Sequence, residues 1–250
     1  IRVLLKKLID NASVINSRNS SGETALMIAI DEDCNEAIIK LLLDSNPMLD
    51  IQEQEGYTAL MKAIFRGKKE IVKLLVDAQC DLNAQSKDGR TALMWAIYKN
   101  SEDIVSFLLG KNVDLDVQDE DGYTALMYAI RGNNENIIRL ILSKNLMFGI
   151  FDEEGKTALM HSVSYSNYNI VKLIVELDNE NIDVQDKYGN TALILALKGN
   201  KTDIANLLIF NGANVNISNQ FGEMARRLAS EYNYDFDNGK LKECTSCCLS

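Results

Sequence analysis

Histidine is almost missing from this chain: among 250 residues there is one, His161. A lone histidine excludes His-paired metal sites and most side-chain proton relays. Proline occurs once and glycine fourteen times, which excludes collagen-like and proline-rich linker classes. No apolar run reaches the ~18 to 20 residues that a membrane helix needs, so no membrane span is expected. Cations are the minority, 26 Lys and Arg against 36 Asp and Glu, for a net charge of −10. A general nucleic-acid binder shows the opposite balance, and no nucleic-acid partner is expected. The five cysteines are an odd number, with Cys244, Cys247 and Cys248 crowded at the end. That pattern argues against a disulfide framework and for a reducing, cytoplasmic compartment. The chain opens Ile1-Arg2-Val3-Leu4-Leu5, without Met and without a basic stretch followed by an apolar core. No signal peptide is visible, and a trimmed start is expected. What remains, 46% hydrophobic and 25% charged residues, is the composition of a folded chain.

Self-similarity dominates what is present. Gly-x-Thr-Ala-Leu recurs with its glycine at 22, 56, 89, 122, 155 and 189, and a degraded copy begins at Gly222. The spacings are 34, 33, 33, 33, 34 and 33, the mark of a repeat architecture rather than one globular core. Thr24, Thr58, Thr91, Thr124, Thr157 and Thr191 stand where an N-cap would open a short helix. Small residues such as Ala59 and Ala63 on that helix let neighbouring units approach closely. A second helix follows with a wide apolar stripe: Ile71, Val72, Leu74 and Leu75 in one unit, Ile104, Val105, Phe107 and Leu108 in the next. Between units, alternating segments such as Asp114-Leu115-Asp116-Val117-Gln118 ending in an acidic turn predict a two-stranded finger.

These units resemble the ankyrin repeat, whose finger-turn motif Gly-x-Thr-Pro-Leu-His precedes an antiparallel helix pair. The resemblance covers roughly residues 14 to 232. Ala stands at the family's Pro (Ala25, Ala59, Ala92, Ala125, Ala158, Ala192), and Met or Ile at its His (Met27, Met61, Met94, Met127, Met160, Ile194). The second change removes the hydrogen bond that the family's His makes across the turn. The resemblance implies an all-α fold, an α-solenoid of stacked helix-turn-helix repeats with short β-hairpin fingers. Residues 1–17 form a partial N-terminal repeat (second helix and finger), which predicts a further half-repeat upstream. Residues 18–220 form six repeats, and 221–250 a degenerate capping repeat with a Cys-rich tail, in which the partner helix is barely recognisable.

No catalytic constellation occurs. Gly-rich phosphate loops, Gly-x-Ser-x-Gly and His-Glu-x-x-His are absent, and the carboxylates recur with the turns. No enzyme activity, cofactor or metal is expected, and the resemblance implies a binding module. The repeat columns that change chemistry are read as solvent-facing. With each motif glycine as zero, column +6 holds Trp95, Tyr128 and His161, column +9 Phe65 and Tyr98, and column +1 Tyr57 and Tyr123, with Tyr165 close by. In the ankyrin family such columns line a concave groove, and Trp and Tyr are the residues enriched in binding hot spots. Beside them Asp119, Glu120 and Asp121 read as an acidic finger tip. Together they predict a protein partner with a basic and apolar segment.

The last four residues, Cys247-Cys248-Leu249-Ser250, fit a prenylation signal if Ser250 is the native end. That gives a rival reading, a membrane-tethered adaptor lipidated at Cys247 that recruits a host protein. A third makes the array the targeting module of an enzyme encoded upstream. Frequent Asn, Ile and Lys fit an AT-rich genome, as in an intracellular bacterium, a large virus or a protist, which would place the chain in host cytosol. The leading expectation is a non-catalytic interaction scaffold.

Overall fold

Helices of two kinds alternate along the chain. A computed structural model describes residues 12–165, 167–231, 234–237 and 240–243. The helix expected over residues 1–10 and the lipidation reading at Cys247 lie outside them. The chain divides into two compact units, residues 1–120 and 121–250. In the first, α1 (Ala12–Ile15) precedes three pairs: α2 (Ala25–Asp31) with α3 (Glu36–Leu43), α4 (Ala59–Phe65) with α5 (Lys69–Asp77), and α6 (Ala92–Tyr98) with α7 (Glu102–Leu109). In the second the pairs are α8 (Ala125–Gly132) with α9 (Glu135–Leu142), α10 (Ala158–Ser164) with α11 (Tyr168–Leu177), and α12 (Ala192–Lys198) with α13 (Thr202–Phe210); α14 (Ala225–Glu231) follows. Within each unit first helices stack on first helices and second helices on second helices.

The first helices form where the motif predicts. Each motif threonine sits in extended backbone, and its Oγ1 accepts from the amide three residues on, as from Met94 at 3.4 Å. The Leu and the Met or Ile that follow are buried in every copy, for example Leu93 and Met94 at 1% exposure, and so is the Ala in every copy but the first, where Ala25 is exposed. The link to the second helix needs one left-handed residue, supplied by Asp33, Gly67, Asn100, Asn133 and Asn200 with φ of 50 to 69°. Small Asx side chains and glycine tolerate that conformation best.

The fingers are not pairs of strands. Among the described residues they carry only isolated bridges, Phe151 with Thr157 and Ser218 with Met224. Each turn is closed by bonds of its own, as Glu53 N donates to Tyr57 O and Gly56 N to Glu53 O, and a further amide reaches the neighbouring finger. In unit one Gln54 N donates to Ser21 O, Lys87 N to Glu55 O and Glu120 N to Asp88 O, at 3.0 to 3.1 Å. In unit two Glu153 N, Lys187 N and Gln220 N donate to Asp121 O, Glu154 O and Tyr188 O. Glutamines reinforce the ladder: Gln52 Nε2 donates to its own Gly56 O and to Gln85 O, and Gln85 Nε2 to Gly89 O and Gln118 O.

After α14 comes a hairpin of β1 (Tyr234–Asp237) and β2 (Lys240–Glu243), antiparallel with Tyr234 opposite Glu243. It packs on α14 and α13, where a second helix would lie. The sequence explains this: Asn238-Gly239 between two alternating segments is a strong hairpin signal.

Two glycines separate the constraints. Gly67 has φ 69° with open space around it, whereas a Cβ on Gly89 would stand 2.7 Å from the Asp119 and Glu120 backbone. Gly67→Asn should change stability by less than about 0.5 kcal/mol, because Asn100 and Asn133 already hold that conformation. Gly89→Asn should cost roughly 1–3 kcal/mol or more by overpacking. Urea midpoints at unchanged m-value check both.

Candidate functional site

The first helices and finger bases of unit one bring four predicted residues together. Trp95 meets Tyr57, Phe65 and Tyr98 edge-on, with ring centroids 5.4, 6.0 and 5.7 Å away. Phe65 and Tyr98 are 50% and 62% exposed, and Tyr57 is half-buried. Cations cover two of the ring faces, Arg90 at 5.1 Å from the Trp95 centroid and Lys99 at 4.2 Å from that of Phe65.

Next to these rings lies an ion network. Lys62 Nζ reaches Glu23 Oε1 at 2.8 Å and Asp31 Oδ2 at 2.7 Å, and Arg66 Nε reaches Asp31 Oδ1 at 3.0 Å. Burial works to lower the Lys62 pKa, but hydrogen bonds to the two carboxylates outweigh it and hold the ammonium above its ordinary value. Burial likewise works to raise the Asp31 pKa, and its bonds to Lys62 and Arg66 bring it below the usual range. A cavity of about 210 Å³ opens here, lined by Asp31, Tyr57, Met61, Lys62, Phe65, Arg66 and Trp95.

In unit two Tyr123 stacks on Tyr128 at 5.7 Å and on His161 at 5.0 Å. Tyr123 is half-buried, and Tyr165 is 43% exposed at the end of α10.

Four of the predicted site residues are not surface. Trp95, Tyr128 and His161 are 6%, 8% and 4% exposed. Column +6 is therefore not uniformly solvent-facing: Ile28 is exposed there, but a large ring folds down against the column +1 ring of the preceding repeat, as Trp95 does on Tyr57 and His161 on Tyr123. Asp119 is also buried, at 7%. Its column, three before the glycine, holds the turn. In the next repeat Asp152 Oδ1 accepts from the amides of Glu154 and Lys156, and Asp186 and Asn219 do the same in theirs. The exposed tip acids are Glu120 and Asp121, with Glu55, Glu153 and Glu154.

The sequence reading missed the Lys62, Arg66, Asp31 and Glu23 network. Its signal was present, since opposite charges occupy columns +1, +6 and +9 of adjacent repeats. Cys80 is buried, and its thiol is pushed up to about 12, by burial first and then by the Asp50 charge. Among the described residues no group of three His, Cys, Asp or Glu is placed to hold a metal ion. Nor is any helix there long and apolar enough to cross a membrane.

The family model for ankyrin repeats, in three copies, matches residues 2–86, 78–152 and 146–219. The chain belongs to the ankyrin-repeat family. Ankyrin repeats are protein–protein interaction modules. A solved structure with the same fold is the ankyrin repeat domain of Bcl-3, described as a unique member of the IkappaB protein family. It is 24% identical, with a TM-score of 0.73 over 84% of this chain and 95% of that one. No curated protein sequence matches the chain. In this ankyrin array the buried Asx residues just described hold the turns. In one repeat a histidine joins them, as His161 Nε2 and Asp152 Oδ2 lie 2.8 Å apart.

That pair yields a pH test. Burial lowers the His161 pKa and prevails over the Asp152 carboxylate, which acts to raise it. The folded protein therefore keeps a neutral imidazole whose Nε2–H donates to Asp152. The unfolded chain takes up the proton first, so stability is intact above about 6.5 and falls as pH drops toward the lower folded value. The wild-type melting point should decline more steeply from pH 7 to pH 5 than that of His161→Gln. Coincident slopes would mean that His161 charges as readily in the folded state.

Proposed function

We propose that the chain is a non-catalytic scaffold or adaptor in the cytoplasm, which holds a partner protein on the first-helix and finger face of its ankyrin array. The observation that carries this reading is the exposure of Phe65 and Tyr98 on neighbouring first helices, beside the cavity of unit one. Large rings left in water at the end of a helix, with cations and a polar network around them, have the composition of a binding hot spot and its rim. Tyr57 extends the contact in unit one, and Tyr123 and Tyr165 offer rings of the same kind in unit two. Trp95, Tyr128 and His161 support the exposed rings from beneath. The repeats over 18–220 supply the binding surface. A partner segment with an apolar anchor and basic flanks suits the exposed acids Glu55, Glu120 and Asp121 at the tips.

Random peptides displayed on phage and selected against the folded protein provide a ligand of known sequence. Phe65→Ala and Tyr98→Ala should each weaken selected peptides at least about tenfold, with the far-UV spectrum and melting point retained. Glu120→Gln with Asp121→Asn should slow association at low salt and leave dissociation unchanged, as rim charges do. Selected peptides that bind the folded Phe65→Ala and Tyr98→Ala variants at full strength would move the binding surface elsewhere.

A further inference from the structure

We propose that the cavity of unit one is a pocket for one aromatic side chain with a carboxylate beside it, supplied by the bound partner. The volume comes first. At about 210 Å³ the space is smaller than the ~300 to 1,000 Å³ of ordinary small-molecule sites, and it suits a single side chain. Its apolar walls are Tyr57, Met61, Phe65 and Trp95.

The polar part of the ligand is defined by Arg66. The Trp95 indole Nε1–H, buried with no hydrogen-bond partner among the described residues, belongs to a wall of the pocket and is too enclosed for a ligand to reach. Arg66 uses only Nε, on Asp31, and its terminal amino groups have no partner among the described residues. Its side chain is about half exposed, so the unused edge of the guanidinium fork remains accessible. Lys62 is already committed to two carboxylates and offers little more.

A cation is the wrong occupant. The ring faces that would attract one already carry Arg90 over Trp95 and Lys99 over Phe65. The one carboxylate in the lining, Asp31, is held by Lys62 and Arg66. An aromatic ring between the walls, with an anionic oxygen on Arg66, meets both the apolar surface and the free edge of the guanidinium. The inference rests on the first-helix face being the binding face.

The chain has one tryptophan, so the Trp95 indole N–H gives a single, assigned proton–nitrogen peak. The probes are 3-phenylpropionate, its neutral amide and 2-phenylethylamine, titrated into the full-length ¹⁵N-labelled protein. The acid should move the indole peak saturably, with a dissociation constant on the order of a millimolar. The amide should bind roughly fivefold more weakly, the ratio between a charge-assisted and a neutral hydrogen bond. The amine should give no saturable shift. In Arg66→Gln, with melting point and indole peak otherwise intact, the acid should fall to the affinity of the amide. An amine that binds as well as the acid, or an indole peak unmoved by every probe, would overturn the pocket. The two readings fail separately: silent probes with selected peptides still lost on Phe65→Ala remove only the pocket, whereas peptides indifferent to Phe65→Ala remove the binding face.

Discussion

Everything in each unit depends on how closely one finger lies on the next. A Cβ at Gly56 would stand 2.5 Å from Lys87 N, and at Gly89 2.7 Å from the Asp119 backbone, so the step is set by backbone on backbone with no side chain between. At that distance one amide of each finger bonds a carbonyl of its neighbour, and a glutamine such as Gln52 or Gln85 bridges the same pair a second time. Asp50 and Asn83 add a third tie, accepting from the amides of Asp81 and Asp114. These bonds fix register more than they add net stability, since each replaces a bond to water. Register is what matters for function. It brings identical columns of neighbouring repeats side by side, so a change at one position becomes a change in a continuous surface.

Registered columns explain why variability along a column is a poor guide to exposure. In column +6 the residue type decides where the side chain goes. Lys62 finds Glu23 and Asp31 in the preceding repeat and stays partly wet. Trp95 carries enough apolar surface to favour burial under Tyr57, Phe65 and Tyr98, and Tyr128 and His161 pack with Tyr123. One column thus alternates between an ion network and a ring stack. The exposed rings are displaced one helical turn, to column +9, where Phe65 and Tyr98 end their helices.

The sequence made the helical repeat legible because its signals are local. A threonine cap, a run of Ala-Leu-Met and an i, i+1, i+3, i+4 stripe each act within one repeat, and the period multiplies them. The fingers were misread for the opposite reason. Alternation in Asp114-Leu115-Asp116-Val117 looks like a strand, but whether its amides pair within the finger or with the next one depends on stacking geometry that no single segment encodes. Asp119 was read as a tip for the same cause, since an Asx side chain that folds back over its own turn is indistinguishable in sequence from one that points to water. The C-terminal hairpin was different. Tyr234-Asp235-Phe236-Asp237-Asn238-Gly239-Lys240-Leu241-Lys242-Glu243 carries a period of two around Asn-Gly, and the expectation of another helix pair masked it.

Charge on the first-helix face follows from the helices themselves. Each finger leads into a helix N-terminus, where the macrodipole favours anions, and the exposed Glu55, Glu120, Glu153 and Glu154 lie on that side. The other ends carry cations: Arg66 caps α4, Lys99 caps α6, and Arg131 and Lys198 sit in the last turns of α8 and α12. Each such placement contributes about 0.3–1 kcal/mol at an exposed site, so the arrangement is favoured before any partner arrives. A basic C-terminal edge thus marks α4, α6, α8 and α12, whereas α2 ends in Asp31 and Glu32, and there Lys62 and Arg66 of the next repeat supply the positive charge. Phe65 and Tyr98 lie at that basic edge, beside Arg66 and Lys99. The terms that stabilise these short helices therefore also set the charge around the exposed rings.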